Sequence, residues 1–422
     1  MLRFTVLFGF LSASAAMVNA QTVVAHYMAQ NAFSYVQSDW AADIKAAQAI
    51  GIDGFALNVA VDDYEVGKMP DAFRAAEAAN FKLFFSFDMN YDWNKDNMVS
   101  LVKTYAGSNA MFRWKGNVLV STFNGGNKGN DWWLSFKSDL NGQGVPVSFA
   151  PAFIDYRDPG KASQLTSVFT SVDGFFNWWS WPEDRPEDLT TATDLAYKQA
   201  ISPRGGPYIM SVSPWQFKEL GGTQDWVEQS DKLWKYRWEQ AINDVKPDIV
   251  EIITWNDYGE SHYIADINPK VNLGDLAPNY VLGFDHGAWR TVAQYYISWF
   301  KSGRQPTITE DKVVFWYRAH PKNAVCAEGD RPRNADYPAD AVMAFSMLTS
   351  PATIQIDIGG SHTQFDASAG VAIGMASFPS QDNVTPSFKI VRNGVTVKSG
   401  SGAKAITNSC PYYNFNPTVG SI

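Results

Sequence analysis

Asp257 and Glu260 lie three positions apart in the run Ile252-Ile253-Thr254-Trp255-Asn256-Asp257-Tyr258-Gly259-Glu260-Ser261, where an apolar stretch opens into a polar, aromatic loop. Hydrolysis of a glycosidic bond needs such a pair. One carboxyl protonates the leaving oxygen, the other activates water or attacks the sugar, and aromatic faces hold the ring. Three extended residues span at most about 10 to 11 Å, so both groups can reach one substrate. Isolated surface acids are common, so the weight of this pair depends on the elements that position it.

Eight apolar, strand-like runs cover residues 23–28, 54–59, 83–89, 118–123, 145–153, 172–179, 208–214 and 249–255. Amphipathic stretches at 43–50, 71–79, 98–105 and 226–245 separate them, and 288–300 supplies a final helix; within 226–245, Trp234, Trp238, Ile242 and Val245 recur at helical spacing. This alternation predicts an α/β fold with a parallel sheet, and eight repeats fit a closed (β/α)8 TIM barrel. An open, doubly wound sheet competes, but no Gly-rich fingerprint follows the first strand.

Barrel enzymes gather their working groups at the C-terminal strand ends. There the sequence places His26, Asn58, Asp88, Asp155, Trp178, Trp179, Trp215, Trp255, Asn256 and Tyr258, all candidates to bind substrate around Asp257 and Glu260. His26 reads equally well as a hydrogen-bonded core residue, whereas Phe84-Phe85-Ser86-Phe87 delivers Asp88 from a dry interior. Trp178 and Trp179 point to opposite faces by strand alternation, so one of them is expected to meet a sugar. Trp132, Trp133, Trp234 and Trp238 are assigned to packing.

Residues 1–20 carry Arg3, a short apolar core and Val18-Asn19-Ala20, the pattern of a secretory signal cleaved after Ala20. An exported chain with only Cys326 and Cys410 predicts one disulfide. CxxC and HExxH patterns are missing and the five His are scattered, so neither a metal nor a cofactor is expected. With 34 Lys and Arg against 43 Asp and Glu, the formal charge of −9 disfavours nucleic acid or an anionic membrane as partner. A neutral polysaccharide is indifferent to it, and a monomer is expected.

Past residue 308 short alternating runs at 313–317, 342–348, 353–358, 371–378 and 388–391 predict an antiparallel β-sandwich. Asn393-Gly394 reads as a type I′ hairpin turn, and Asn383-Val384-Thr385 is a glycosylation sequon. The expected organisation is signal 1–20, barrel 21–308 and sandwich 309–422, the last without a planar aromatic row and so bracing the barrel.

The runs Ala25-His26-Tyr27-Met28, Gly51-Ile52-Asp53-Gly54-Phe55-Ala56-Leu57-Asn58, Ser86-Phe87-Asp88-Met89, Thr254-Trp255-Asn256-Asp257-Tyr258-Gly259-Glu260-Ser261 and Trp316-Tyr317-Arg318-Ala319-His320-Pro321 resemble glycoside hydrolase family 71, the fungal α-1,3-glucanases or mutanases. The resemblance implies secreted hydrolysis of α-1,3-glucan with inversion, by acids matching Asp257 and Glu260, whose carboxyls should then stand about 6.5 to 9.5 Å apart. Glu260 is taken as general acid, because its side chain reaches further and an ionised Asp257 would raise its pKa. Asp257 then activates water. The opposite assignment stays open, since a coupled pair titrates as a unit. His26, Asp88 and Asn256 become substrate-orienting candidates.

Other classes fit less well. A non-catalytic carbohydrate-binding barrel would not need the paired acids, and a glycosidase of this fold acting on another polysaccharide is the nearer competitor. A chitinase-like retaining enzyme would carry acids along strand four, where residues 117–124 have none. A nucleotide-dependent enzyme would show a phosphate loop.

Overall fold

The computed structural model describes residues 21–221 and 224–422; the segment read as a signal, 1–20, lies outside them. Eight parallel strands alternate with helices: β1 Thr22–Met28, β2 Gly54–Val59, β3 Lys82–Asp88, β4 Asn117–Phe123, β5 Val147–Phe149, β6 Phe175–Asn177, β7 Tyr208–Val212 and β8 Ile249–Ile252. Their order is β5-β4-β3-β2-β1-β8-β7-β6, so the first and last strands are neighbours, with Thr22 opposite Ile249. The sheet is mixed α/β and strongly curled. At its two ends the chain meets itself: the Gly174 amide donates to Phe149 O and the Phe176 amide to Pro151 O.

The long apolar runs follow from burial on both faces, the usual state of parallel strands beneath helices. Val24, Ala56, Phe84, Leu119, Ala150, Phe176, Ile209 and Ile249 form one cluster on the concave side. The alternate residues, among them Val23, Phe55, Leu83, Val118, Phe149, Phe175, Met210 and Val250, pack outward under the helices. All eight expected strands are present, though the fifth and sixth are shorter than their apolar runs. The stretch 226–245 departs more. Trp226–Val227 pairs with Phe217–Lys218 as a short antiparallel ribbon, and the helix starts only at Leu233, passing into a π-turn at Gln240–Val245. Burial of Trp234 and Trp238 accounts for the helical spacing, which does not reach back to Trp226.

After the helix Trp289–Ser302 come β9 Lys312–Tyr317, β10 Ala341–Leu348, β11 Ala352–Ile358, β12 Ser361–Ala367, β13 Gly370–Ser377, β14 Pro386–Arg392, β15 Val395–Ser401 and β16 Thr418–Ser421. They build two four-stranded antiparallel sheets, β13-β10-β9-β16 and β12-β11-β14-β15. One apolar layer joins them: Val313, Phe315 and Val342 from the first meet Ile354, Ile356 and Phe388 from the second, with the Phe315 and Phe388 rings stacked 4.0 Å apart. Asn393 and Gly394 have φ of 52° and 77°, the pair of positive angles that a type I′ turn requires. β12 and β16 gave no sequence signal, and β15 only the Asn393-Gly394 turn before it; β12 and β15 lie at sheet edges and are polar and exposed along most of their length.

The expected disulfide links Cys326 to Cys410. It ties two segments already paired through Ala327 N to Cys410 O and Tyr413 N to Glu328 O. Cys326→Ser with Cys410→Ser should remove about 4 to 5 kcal/mol of stability on the chain-entropy estimate. Calorimetry checks this: an unchanged melting temperature would refute a stabilising bridge.

Candidate active site

Beyond β8 the chain turns back on itself. Trp255 N donates to His26 O, carrying the β1–β8 ladder one step further, and Thr254 N and Ala265 N close the loop on His262 O and Trp255 O. Asn256 locks this loop to β1: its Oδ1 accepts from Met28 N at 2.8 Å and its Nδ2 donates to Met28 O at 3.2 Å. Asp257 and Glu260 thereby open into a cavity of about 530 Å³, lined also by Asn31, Asp88, Tyr91, Leu220, Tyr258 and Leu276. A larger cavity of about 710 Å³ lies between the helix Trp289–Ser302 and residues 306–310, but its single acid, Glu310, is already paired with Lys312 and Lys398.

The two acids have opposite surroundings. Glu260 accepts from Lys218 Nζ at 2.9 Å, His262 Nε2 at 3.1 Å and Gln216 Nε2 at 3.3 Å. Burial disfavours its charge, yet the Lys218 ammonium and the His262 hydrogen bond outweigh burial and hold the carboxyl well below the usual range. Among the described residues Asp257 accepts only the Glu260 amide, at 3.2 Å, and stands 3.9 Å from His262 Nε2. Burial and the Glu260 charge push its carboxyl up, against weaker opposition from His262 and Lys218. Their side chains are 14% and 25% exposed, respectively, for Asp257 and Glu260, so both can meet a ligand.

His262 is held at both ring nitrogens. The Asp257 amide donates to Thr254 Oγ1 at 2.8 Å, leaving the threonine hydroxyl hydrogen free for His262 Nδ1 at 3.2 Å. On the other side its Nε2 lies 3.1 Å from Glu260 Oε2. Trp181 stacks on the imidazole with centroids 5.2 Å apart, and its indole N–H donates to Trp215 O. An oxygen of Asp257, one of Glu260 and His262 Nε2 fall within 4.8 Å of one another, a spacing that also suits a divalent cation. Lys218 already supplies the positive charge there.

The expectation about roles did not weigh Lys218, whose ammonium favours the ionised form of Glu260. Lys218, Gln216 and His262 were all missed. Their only sequence signal is position, since Trp215-Gln216-Phe217-Lys218 follows strand seven and His262 lies two residues beyond Glu260.

Among the other candidates, Asp88 and Tyr258 line the cavity. Burial, reinforced by Glu260, raises the Asp88 carboxyl against its bond from Asn90 N and the nearby His26. His26 is fully buried beneath, with Nδ1 2.7 Å from Glu251 Oε1. Asn58 and Asn256 are buried too. Trp215 and Trp255 are 2% and 1% exposed and pack in the core, which leaves them no face for a sugar. Trp178 and Trp179 do point apart: Trp178 packs inward against His26 and Phe123, while Trp179 lies over the Arg157 guanidinium at 3.6 Å. Neither lines the cavity, and Asp155 is exposed on the short turn Ile154–Tyr156.

A carboxyl pair at the C-terminal mouth of a curled parallel sheet defines a glycosidase class of site. The chain belongs to glycosyl hydrolase family 71, whose family model matches residues 19–422. It is 37% identical over 417 residues to a mutanase of Penicillium rubens, covering 94% of this chain and 88% of that one. To a glucan endo-1,3-alpha-glucosidase of Schizosaccharomyces pombe it is 35% identical over 411 residues, covering 94% of each. The fold is similar to that of a GH99 endo-alpha-mannosidase from Bacteroides thetaiotaomicron, with TM-score 0.52 at 12% identity over 67% of this chain and 98% of that one.

Lys218→Met should move the acid limb of kcat/KM upward by about 1 to 3 pH units, because the cation that depresses Glu260 is gone. The sign for stability agrees. A depressed carboxylate stabilises the fold fully above its ordinary value near about 4.3 and loses that contribution as pH falls toward the folded value. In the variant that contribution should be smaller, so less stability is lost as pH falls below about 4.3. An acid limb that stays in place would remove Lys218 from this role.

Proposed function

We propose that the protein hydrolyses α-1,3-glucan, with Asp257 as general acid and Glu260 as the ionised partner. The observation that carries this reading is the unequal shell of donors around two adjacent acids. Burial favours the protonated form of Asp257, from which a proton can pass to the glycosidic oxygen, while three donors favour the charged form of Glu260. Similarity to a mutanase and to an endo-1,3-alpha-glucosidase supports the choice of substrate. The curled sheet is read as a (β/α)8 barrel over 21–308 and the two antiparallel sheets as a β-sandwich over 309–422. Export follows from the signal-like start, with Asn383 on an exposed loop as acceptor for a glycan; among the described residues no helix is long and apolar enough to cross a membrane.

In the single-displacement route Glu260 activates water and the anomeric carbon inverts, as the family resemblance implies.

Asp257→Asn and Glu260→Gln should each lower turnover by about 10² to 10⁴ with unchanged circular dichroism, since each removes ionisation at nearly constant volume. Either variant keeping a tenth or more of wild-type rate on α-1,3-glucan, far outside that range, removes that residue from the pair. Proton NMR within minutes of mixing gives the route. β-Configured reducing ends growing ahead of α are expected, and α first would establish retention. α-1,4- and β-1,3-glucans, run in parallel, test the substrate.

A further inference from the structure

The cleft continues outward from the acids along a row of aromatic rings. Tyr91, on the loop after β3, is 42% exposed and lines the cavity beside Asp88. Next to it stands Tyr64, in the first turn of the helix Asp63–Ala79, close enough for the charge states of the two phenols to interact. The Tyr64 ring meets Phe33 edge to face with centroids 5.1 Å apart. Phe33 ends the turn whose Gln30 and Asn31 line the cavity, and it is 59% exposed. The loops after β1, β2 and β3 thus each give one ring to a single row at the rim.

Packing does not account for this row. Single exposed apolar side chains are ordinary, but rings from three loops that touch or adjoin one another beside a polar cavity form a surface. A phenyl ring left more than half in water gains from any ligand that covers it. Exposed Asp62 and Asp63 flank the rings and offer hydroxyl acceptors. Burial, with Glu65 and Asp62, pushes the Tyr64 phenol up to about 12, so it stays a neutral donor at working pH.

The geometry points to an outer binding subsite on Phe33, Tyr64 and Tyr91 that holds α-1,3-glucan beyond the residues engaged at Asp257 and Glu260; this rests on the α-1,3-glucan reading above. Pyranose rings present C–H faces to aromatics and hydroxyl edges to carboxylates, and this row offers both. The flanking acids repel anionic polymers and leave a neutral glucan unaffected. A chain leaving the cavity past Tyr91 runs on to Tyr64 and then Phe33, whereas a short oligosaccharide ends before them.

The test uses the whole protein and a graded series of α-1,3-glucooligosaccharides, from the shortest that is cleaved upward. For wild type, kcat/KM should rise with length beyond that shortest substrate. Phe33→Ala and Tyr64→Ala should each lower the rate on long chains by about threefold to tenfold, an aromatic contact's worth, through KM rather than kcat, and leave the shortest substrate unaffected. Tyr64→Phe should restore most of the gain. Equal loss at every length, or no loss at any, would overturn the subsite while leaving the activity standing. No cleavage of any member by wild type would instead sink the α-1,3-glucan reading and the subsite with it.

Discussion

Two carboxyl groups with oxygens within 4.8 Å in a partly closed pocket repel each other, and burial penalises each charge separately. The protein resolves this by surrounding one acid and neglecting the other. Lys218, His262 and Gln216 converge on Glu260, while among the described residues Asp257 receives only a backbone amide. The shared proton therefore has a preferred home on Asp257. A symmetric pair at the same distance would titrate as one unit without assigned roles. Here the asymmetry is built by the fold, so much of the remaining structure serves to hold three donors in place.

His262 and Lys218 rest on different supports. His262 is clamped through Thr254 on one nitrogen and by the Trp181 indole against its face. Lys218 lies on the ribbon with Trp226, its ammonium 3.9 Å from that ring. The ribbon in turn takes a hydrogen bond from the C-terminal half, because Val227 N donates to Arg333 O and Arg333 N to Asp225 O. Arg333 also approaches the outer part of Trp226, with its guanidinium 5.2 Å from the ring centre, and pairs with Asp184. The Cys326–Cys410 bridge joins the two segments that flank this wall, since Gly329 and Tyr412 lie against Glu219.

What the sequence made legible followed from periodicity and chain proximity. Eight buried strands announce themselves because both faces are apolar, and Asp257 and Glu260 are neighbours along the chain. The donors that set their roles are not. Lys218 reaches Glu260 from 42 residues away through a ribbon too short and too polar to give a pattern. The tryptophans misled for a related reason: a ring at a strand end reads alike whether it faces sugar or core. Trp215 and Trp255 turn inward because their neighbours on the convex side need filling. The exposed rings Phe33 and Tyr91, on loops without periodicity, drew no notice.

The boundary near residue 308 is clear in pattern and blurred in energy. Val314, Trp316, Met343, Phe345 and Phe415 belong to the same apolar cluster as Trp289, Tyr296 and the outer faces of the parallel strands. The first antiparallel sheet therefore has two buried faces, one against its partner sheet and one against the helices. Polar bonds cross the same seam: Trp316 Nε1 donates to Asp231 O, Trp215 Nε1 to Phe415 O, and Asn416 Nδ2 to Tyr280 O. Fully burying one large apolar side chain is worth about 1.5 to 3 kcal/mol, so uncovering several would exceed the margin of 5 to 15 kcal/mol typical of a folded domain. The antiparallel half acts as a wall of the parallel one, and through the Arg333 contact its influence reaches the ribbon that holds Lys218 on Glu260.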